Sequence, residues 1–137
     1  MSREIENLSE DLAAYLVEND IAEAIGTDIF ICHLPDNDSG IDAILIDETG
    51  GIPDPELPVE NPTRQILVRN SDHATAKSKI YAIYNLLNRA NDSLVLKEGG
   101  VDVMYIEALQ MPTSLGLDNN ERSVYSVNFM FKLRKND

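Results

Sequence analysis

The apolar positions of this chain follow a β period in some stretches and a helical period in others, and the change is sharpest between Thr63 and Arg89. This segment begins with the apolar run Ile66-Leu67-Val68 and continues in a stripe that recurs every three or four residues: Ala76, Ile80, Ile83, Tyr84 and Leu87. Such a pattern predicts a strand leading into a helix that folds back on it. Ser71 or Asp72 stands where a side chain caps the helix, so we expect the core here.

A second apolar stripe lies near the N-terminus and predicts another helix. Its members are Ile5, Leu8, Leu12, Tyr15 and Leu16, and the residues between them are largely acidic. We expect the helical segment to cover residues 1–25, with an interruption open at Asn19-Asp20 that leaves a short second turn. It ends at Gly26, because a left-handed glycine closes a helix at little cost.

Compact apolar runs and alternating patterns predict the strands. Ile29–Cys32 and Ala43–Ile46 are apolar runs separated by a polar turn at residues 36–40. Ser93–Leu96 and Val101–Leu109 follow the central helix, joined by a turn at residues 98–100. The alternation of the second breaks near Ile106-Glu107, which indicates a bulge.

The last predicted strand shows the cleanest alternation in the chain. One side carries only apolar residues: Tyr125, Val127, Phe129, Phe131 and Leu133. These elements predict an α+β fold, a single domain over residues 1–137. Its mixed, mainly antiparallel sheet has the N-terminal helix and one central helix packed on it.

Two segments show neither period, and we expect them to be long loops. Residues 48–62 contain Gly50-Gly51 and four prolines, which lack a backbone donor, and residues 111–121 form the second segment. Loops of such length are usually functional or mobile. The sequence leaves open whether residues 48–62 form a plain surface loop or an arm that orders against a partner.

The charge of the chain is unevenly distributed. Its formal net charge is −13, yet residues 1–62 hold 16 acidic residues against one basic residue, Arg3. The remaining 75 residues are close to neutral. This balance argues against general nucleic-acid binding, which needs basic clusters. It is compatible with an acidic solvated surface, or with self-association of acidic and basic surfaces.

The composition also limits the cellular setting. The chain has no apolar run long enough to cross a membrane, and its first residues lack the apolar core of a signal peptide. A single cysteine, Cys32, forms no internal disulfide, so we expect synthesis in a reducing cytoplasm. Cys32 itself is expected to be a small buried side chain, and His33 and His73 to be partly exposed.

Three groups of side chains are candidates for metal binding or catalysis. The run Asp36–Gly40 resembles the start of a calcium loop, but its glycine is at the fifth position, and the twelfth is Asp47 in place of glutamate. Cys32 and His33 are adjacent in a strand, so they point to opposite faces and do not share a metal. Asp42, Asp47 and Glu60 lack the neighbouring lysine of a metal nuclease. We therefore expect no enzyme, no cofactor and no metal site.

The order of several short motifs resembles the minor capsid and tail terminator proteins of long-tailed bacteriophages. The resemblance covers residues 26–133. The motifs are Phe30, Leu34-Pro35-Asp36, Asp47–Gly51, Pro62–Arg69, Ala76, Ile80, Leu86-Leu87, Pro112, Leu115-Gly116, Asp118, Arg122 and Asn128-Phe129. Each motif is moderately specific, and their collinear order carries the resemblance.

The resemblance implies a virion protein, made in the host cytoplasm, that assembles into a hexameric ring. Such a ring closes the head-proximal end of the tail tube, ends tube polymerisation and provides the surface that joins the head. The implied partners are other copies of the chain, the tail tube protein and a head-completion or connector protein. Genome DNA would pass through the ring without sequence-specific binding.

The residues expected at assembly contacts come from the motifs and the two predicted loops. They are Gln65, Arg69, Arg122, Asp118, Pro53, Pro55 and Glu56. Gln65, Arg69 and Arg122 are expected at an interface or in the framework, with an exposed strand or loop side chain as the equal alternative for each, and Arg69 is also placed to pair with Asp72. Three other functions stay open: a head-completion or stopper protein, an acidic inhibitor that mimics DNA, and a hydrolase using Asp42, Asp47 or Glu60.

Overall fold

The structure is a computed structural model that describes residues 5–34, 42–57, 59–88, 91–95 and 102–134. A 3-10 turn at Ile5–Asn7 precedes helix α1, Leu8–Glu18, and the second helix, α2, is His73–Leu87. The strands are β1 Ile29–Ile31, β2 Ala43–Pro53, β3 Val59–Asn70, β4 Asn91–Val95, β5 Asp102–Ala108, β6 Thr113–Leu117 and β7 Ser123–Arg134. No helix in the described ranges is long and apolar enough to cross a membrane.

The strands form one sheet in the order β1-β2-β3-β7-β5-β4, and β6 also pairs with β7, beyond the end of β5. The pair β1–β2 is parallel and the other pairs are antiparallel. The predicted fold class, an α+β domain with a mixed and mainly antiparallel sheet, is confirmed.

Both helices pack on one face of the sheet. Helix α1 contacts β1 and β2, whereas α2 contacts β3, β5 and β7. Under them lies a cross-strand row of Ile46, Ile66 and Val127, all fully buried. Burial of each such side chain stabilises the fold by about 1.5–3 kcal/mol. The apolar side predicted for the last strand is this face: Tyr125, Val127, Phe129, Phe131 and Leu133 are buried.

The central strand–helix unit also forms as predicted. The buried stripe of α2 is Ala76, Ile80, Ile83 and Leu87. Asp72 is the N-cap and accepts a hydrogen bond from the Thr75 N–H at 3.3 Å. Ser71 has a different task, because its N–H donates to the Asp42 carboxylate at 2.8 Å. Asp42 thus fastens the turn before α2.

The prediction of a long loop at residues 48–62 is wrong. Strands β2 and β3 extend to Pro53 and from Val59, so that most of this segment is a β-hairpin. The prolines are tolerated because of their positions. Pro53 ends β2, and Pro62 lies opposite a bulge between Glu48 and Gly51, where the ladder is interrupted and a missing N–H costs little.

The second predicted loop, at residues 111–121, is also wrong in part. Residues Thr113–Leu117 form strand β6, which pairs with the start of β7. This strand is exposed along its whole length, so no apolar alternation marks it in the sequence. Met111 and Pro112 before this strand, and the turn around Asp118–Arg122 after it, are irregular.

Three local predictions need correction. The helical segment does not continue to residue 25: helix α1 ends at Glu18, at the interruption left open at Asn19-Asp20, because the left-handed Asp20 (φ 61°) cannot continue a helix. The irregularity in β5 lies between Val103 and Tyr105, not near Ile106-Glu107. Cys32 is exposed, since it follows the end of β1 with a positive φ of 69°. The predicted turns at residues 36–40 and 98–100 lie outside the described residues.

Candidate assembly surfaces

Exposed large apolar side chains are concentrated in two segments. The first, which we call the hairpin arm, is the outer part of the β2–β3 hairpin, residues 48–57 and 59–62. The second, the edge arm, comprises residues 109–117. Among the residues that the structure describes, six of the seven exposed large apolar side chains lie in the arms, each 51–72% exposed: Ile52, Leu57, Leu109, Met111, Leu115 and Leu117. Grouped exposure of this kind marks interaction surfaces more often than scattered apolar residues do.

The hairpin arm is held in shape by its backbone. At the bulge, an added Cβ on Gly51 would lie 2.3 Å from the Asn61 carbonyl oxygen, so the strands approach there as only glycine allows. A groove of about 270 Å³ opens beside the bulge, bordered by Ile52, Pro53 and Pro62. The arm therefore offers an apolar recess in a defined frame.

The turn at the end of this arm is built by Asp54. One carboxylate oxygen accepts the N–H of Glu56 at 2.9 Å and that of Leu57 at 3.0 Å. These two hydrogen bonds lower the pKa of Asp54. Pro55 and Glu56 are exposed in the turn, where a partner can reach them.

The edge arm begins where β5 leaves β7. Ala108 pairs with Phe129 and Thr113 with Ser126, so the edge arm carries two extra residues at this break. The arm contains no charged residue. Exposed edge strands are usually protected by charge or proline within the strand, and β6 has neither. Its composition is therefore typical of a strand that is covered by another protein surface.

A polar cluster fixes the turn between β6 and β7. The Asp118 carboxylate accepts the N–H groups of Asn120 and Arg122, each at 2.9 Å, and the Nε–H of Arg122 at 3.0 Å. Burial acts to raise the pKa of Asp118, but these bonds and the Arg122 charge outweigh it, and the pKa is lowered.

Arg69 lies beside this cluster at the end of β3. The side chains of Arg69 and Arg122 are almost fully buried. Burial and the neighbouring Arg122 charge lower the pKa of Arg69, while Asp118 and Asp42 oppose them. Asp72, the partner expected for Arg69, instead caps α2. In the single chain, Arg69, Arg122 and Asp118 thus form part of the framework next to the edge arm.

A second polar cluster joins α1 to the base of the hairpin arm. The Arg64 Nε–H donates to the Ser9 hydroxyl at 2.8 Å, and the Ser9 hydroxyl donates to Glu48 at 2.7 Å. The Arg64 and Glu48 charges are 3.9 Å apart. Burial lowers the pKa of Arg64, and the Glu48 charge opposes this. The helix is thereby tied to both strands of the hairpin.

This second cluster was not predicted from the sequence, although the position of Arg64 in the β3 pattern indicates it. Arg64 is two residues before Ile66 and four before Val68, and alternation places all three on the helix-covered face of β3. A cation at such a position needs a buried partner. Acidic and hydroxyl residues of neighbouring elements are the candidates for this partner, and Glu48 and Ser9 are among them.

The residues predicted at assembly contacts do not form one site. Arg69, Arg122 and Asp118 come together at the turn after β6. Pro53, Pro55 and Glu56 lie on the hairpin arm, and Gln65 is half-buried within β3, on the face without helices. The exposed apolar residues of both arms were not among the predictions.

The candidate metal-binding and catalytic side chains are dispersed. Among the described residues, no three histidine, cysteine or acidic side chains are close enough to hold a metal ion. Loss of hydration and the Glu48 carboxylate raise the pKa of the Cys32 thiol, which disfavours the nucleophilic thiolate. His73 contacts the hydroxyls of Ser123 at 3.0 Å and Tyr125 at 3.2 Å.

Comparison with known proteins decides the family. A family model described as "Bacteriophage tail terminator protein" matches residues 15–135. The chain belongs to the bacteriophage tail terminator family. The match begins within α1, earlier than the resemblance seen at residues 26–133. It identifies this protein as a structural component of the phage virion, and the family prediction is confirmed.

Structural comparison supports the fold of this tail terminator. A chain from the solved structure titled "Virion of native gene transfer agent (GTA) particle" superposes with a TM-score of 0.59. It is 17% identical in sequence, and the match covers 93% of the terminator and 91% of that chain. At this identity the likeness concerns the fold. The search of curated proteins gave no match.

Proposed function

We propose that this tail terminator assembles into a hexameric ring on the head-proximal end of the tail tube, where it ends tube polymerisation and provides the surface that joins the head. Membership of the tail terminator family supports this proposal. So does one structural observation: within the described part of the chain, six of seven large exposed apolar side chains lie on two separate arms. A lone subunit leaves both arms in water, whereas a ring covers them.

The positions of the arms suit a ring. A cyclic ring needs a heterologous contact, in which two different surfaces of each copy meet. The hairpin arm lies on the β3 side of β7, near Arg134, and the edge arm on the opposite side, near Ser123. The two surfaces therefore face different neighbours.

The remaining parts of the proposal follow from the family. The tail tube protein and a head-completion or connector protein are the proposed further partners. Gln65, Pro53, Pro55 and Glu56 are proposed contact residues, with Arg69, Arg122 and Asp118 holding the turn beside the edge arm. Genome DNA would pass through the lumen without specific binding, and the protein would need no catalysis, metal or cofactor.

The test uses particles made without this protein. We expect tails that are overlong or unattached to heads, as seen by negative-stain microscopy, and restoration of attached tails of normal length when the wild-type protein is supplied. Supplying Ile25→Asp, an exposed apolar residue outside both arms, should restore them equally. Normal joined tails in the absence of the protein would contradict the proposal.

A further inference from the structure

The two arms differ in charge as well as in place. The hairpin arm carries only acidic charged residues, namely Glu48, Asp54, Glu56 and Glu60, whereas the edge arm carries no charge at all. Two hairpin arms brought together would repel each other, because like charges face each other at short range. The hairpin arm thus favours an occupant that is apolar and free of acidic groups.

The edge arm meets this requirement. Leu115 and Leu117 are 56% and 65% exposed on a strand with no charge. The groove of the hairpin arm has a volume of about 270 Å³. A leucine side chain can enter a recess of this size, and Ile52 and Pro53 offer it apolar contacts.

Within one chain the two arms do not meet. Val59 of the hairpin arm pairs with Arg134, at the end of β7, whereas β6 of the edge arm pairs with Ser123–Ser126, at its start. Arg134 and Ser126 are eight residues apart along β7, or ~27 Å, and the arms lie on opposite sides of this strand. An edge arm that enters a hairpin groove therefore belongs to another copy.

We propose that the edge arm of one copy packs Leu115 and Leu117 into the groove of the hairpin arm of the next copy, and that this single heterologous contact is repeated around the ring. The inference rests on the ring of the proposed function, and it assigns the two surfaces that meet. The acidic hairpin arm excludes a second hairpin arm, so the contact has one direction and the ring one polarity.

The experiment is cross-linking between defined positions. In a Cys32→Ala background, Leu117→Cys and Ile52→Cys are made separately and together, with Ile25→Cys as the matched exposed control. Circular dichroism and thermal unfolding verify that each variant folds. The proteins are oxidised under conditions in which microscopy shows rings of the unmodified protein, with tail tubes present.

We expect disulfide-linked dimers when the Leu117→Cys and Ile52→Cys proteins are mixed, and neither protein alone should cross-link above the Ile25→Cys background. The variant with both cysteines should give a ladder of linked subunits that ends at the closed ring. Dimers from Leu117→Cys alone, in the yield of the mixture, would overturn the proposal in favour of paired edge arms.

The failure of this inference can be told from failure of the proposed function. If microscopy shows rings but the mixture gives no cross-linked dimer, the assignment of the two arms is wrong and the ring stands. If the unmodified protein forms no ring under any condition, including on tail tubes, the ring and the contact are both wrong.

Discussion

The substitution Asp118→Ala separates a framework role from an assembly role for the turn after β6. The carboxylate accepts two backbone N–H groups at 2.9 Å and the Nε–H of Arg122 at 3.0 Å. Alanine removes all three bonds. If the turn is part of the framework, the fold of the isolated subunit should lose stability.

The size of the loss follows from the contacts. Removing one partner of a buried ion pair costs about 3–5 kcal/mol, but the Asp118 side chain is 14% exposed, so water replaces part of what is lost. Arg122 also keeps other contacts. We therefore expect the free energy of unfolding to fall by about 3 kcal/mol, the lower end of that range, which lowers the Tm by roughly 10 °C for a chain of this length.

The assay is urea unfolding of the isolated subunit, checked by thermal unfolding. Asp118→Asn keeps one acceptor for the backbone bonds but loses the charge, so it should cost about half as much. Asn119→Ala, in the same turn and exposed, should stay within about 0.5 kcal/mol of wild type. A change under about 1 kcal/mol for Asp118→Ala would refute the framework role. Unchanged stability with lost ring formation would assign these residues to the contact between copies.

Three further predictions concern stability. Gly51→Ala should destabilise the fold by more than about 2 kcal/mol in urea unfolding, because its Cβ would overlap the opposite strand. Gly50→Ala has open space at its Cβ and should cost only the strain of its positive φ, about 1 kcal/mol. Equal costs for the two variants would contradict this prediction. Arg64→Ala should cost about 2 kcal/mol, the value for a hydrogen bond to a charged group, because the Glu48 side chain left behind is 41% exposed and stays hydrated. It should also speed amide exchange in α1, while the exposed Arg134→Ala should change neither; unaltered exchange in α1 would show that the cluster does not hold the helix. The pKa of Asp118 is lowered in the fold, so its contribution is present above pH ~4, the unfolded value, and is lost as the pH falls through the folded pKa. The stability difference between wild type and Asp118→Asn should therefore shrink between pH 5 and pH 2, and a constant difference would contradict the assignment.

The core of this tail terminator could be predicted from the sequence because burial imposes a period. The stripe of α2 and the alternation of β7 each follow from one face packing against the other layer. The cap at Asp72 is equally local, since a side chain in that position satisfies a nearby N–H.

The two arms could not be predicted, since their structure depends on partners that are distant in sequence. Strand β6 is exposed on both sides and exists only because its backbone pairs with β7. The prolines of the hairpin arm suggest a loop until the bulge at Gly51 places Pro62 where the ladder is interrupted. The residue types within these segments do not indicate the pairing of β6 with β7 or of β2 with β3.

The two polar clusters, at Asp118–Arg122 and at Ser9, Glu48 and Arg64, also divide into what the sequence predicted and what the fold showed. The sequence predicted Arg122 and Asp118 as contact residues, and the fold shows that they bond to each other. Ser9, Glu48 and Arg64 come from three elements, and only the tertiary structure brings them together. Periodic burial is a local property that the sequence by itself determined. Which strand edges pair, and which charged side chains of different elements meet, depends on how the whole chain folds. Only the tertiary structure decided these contacts.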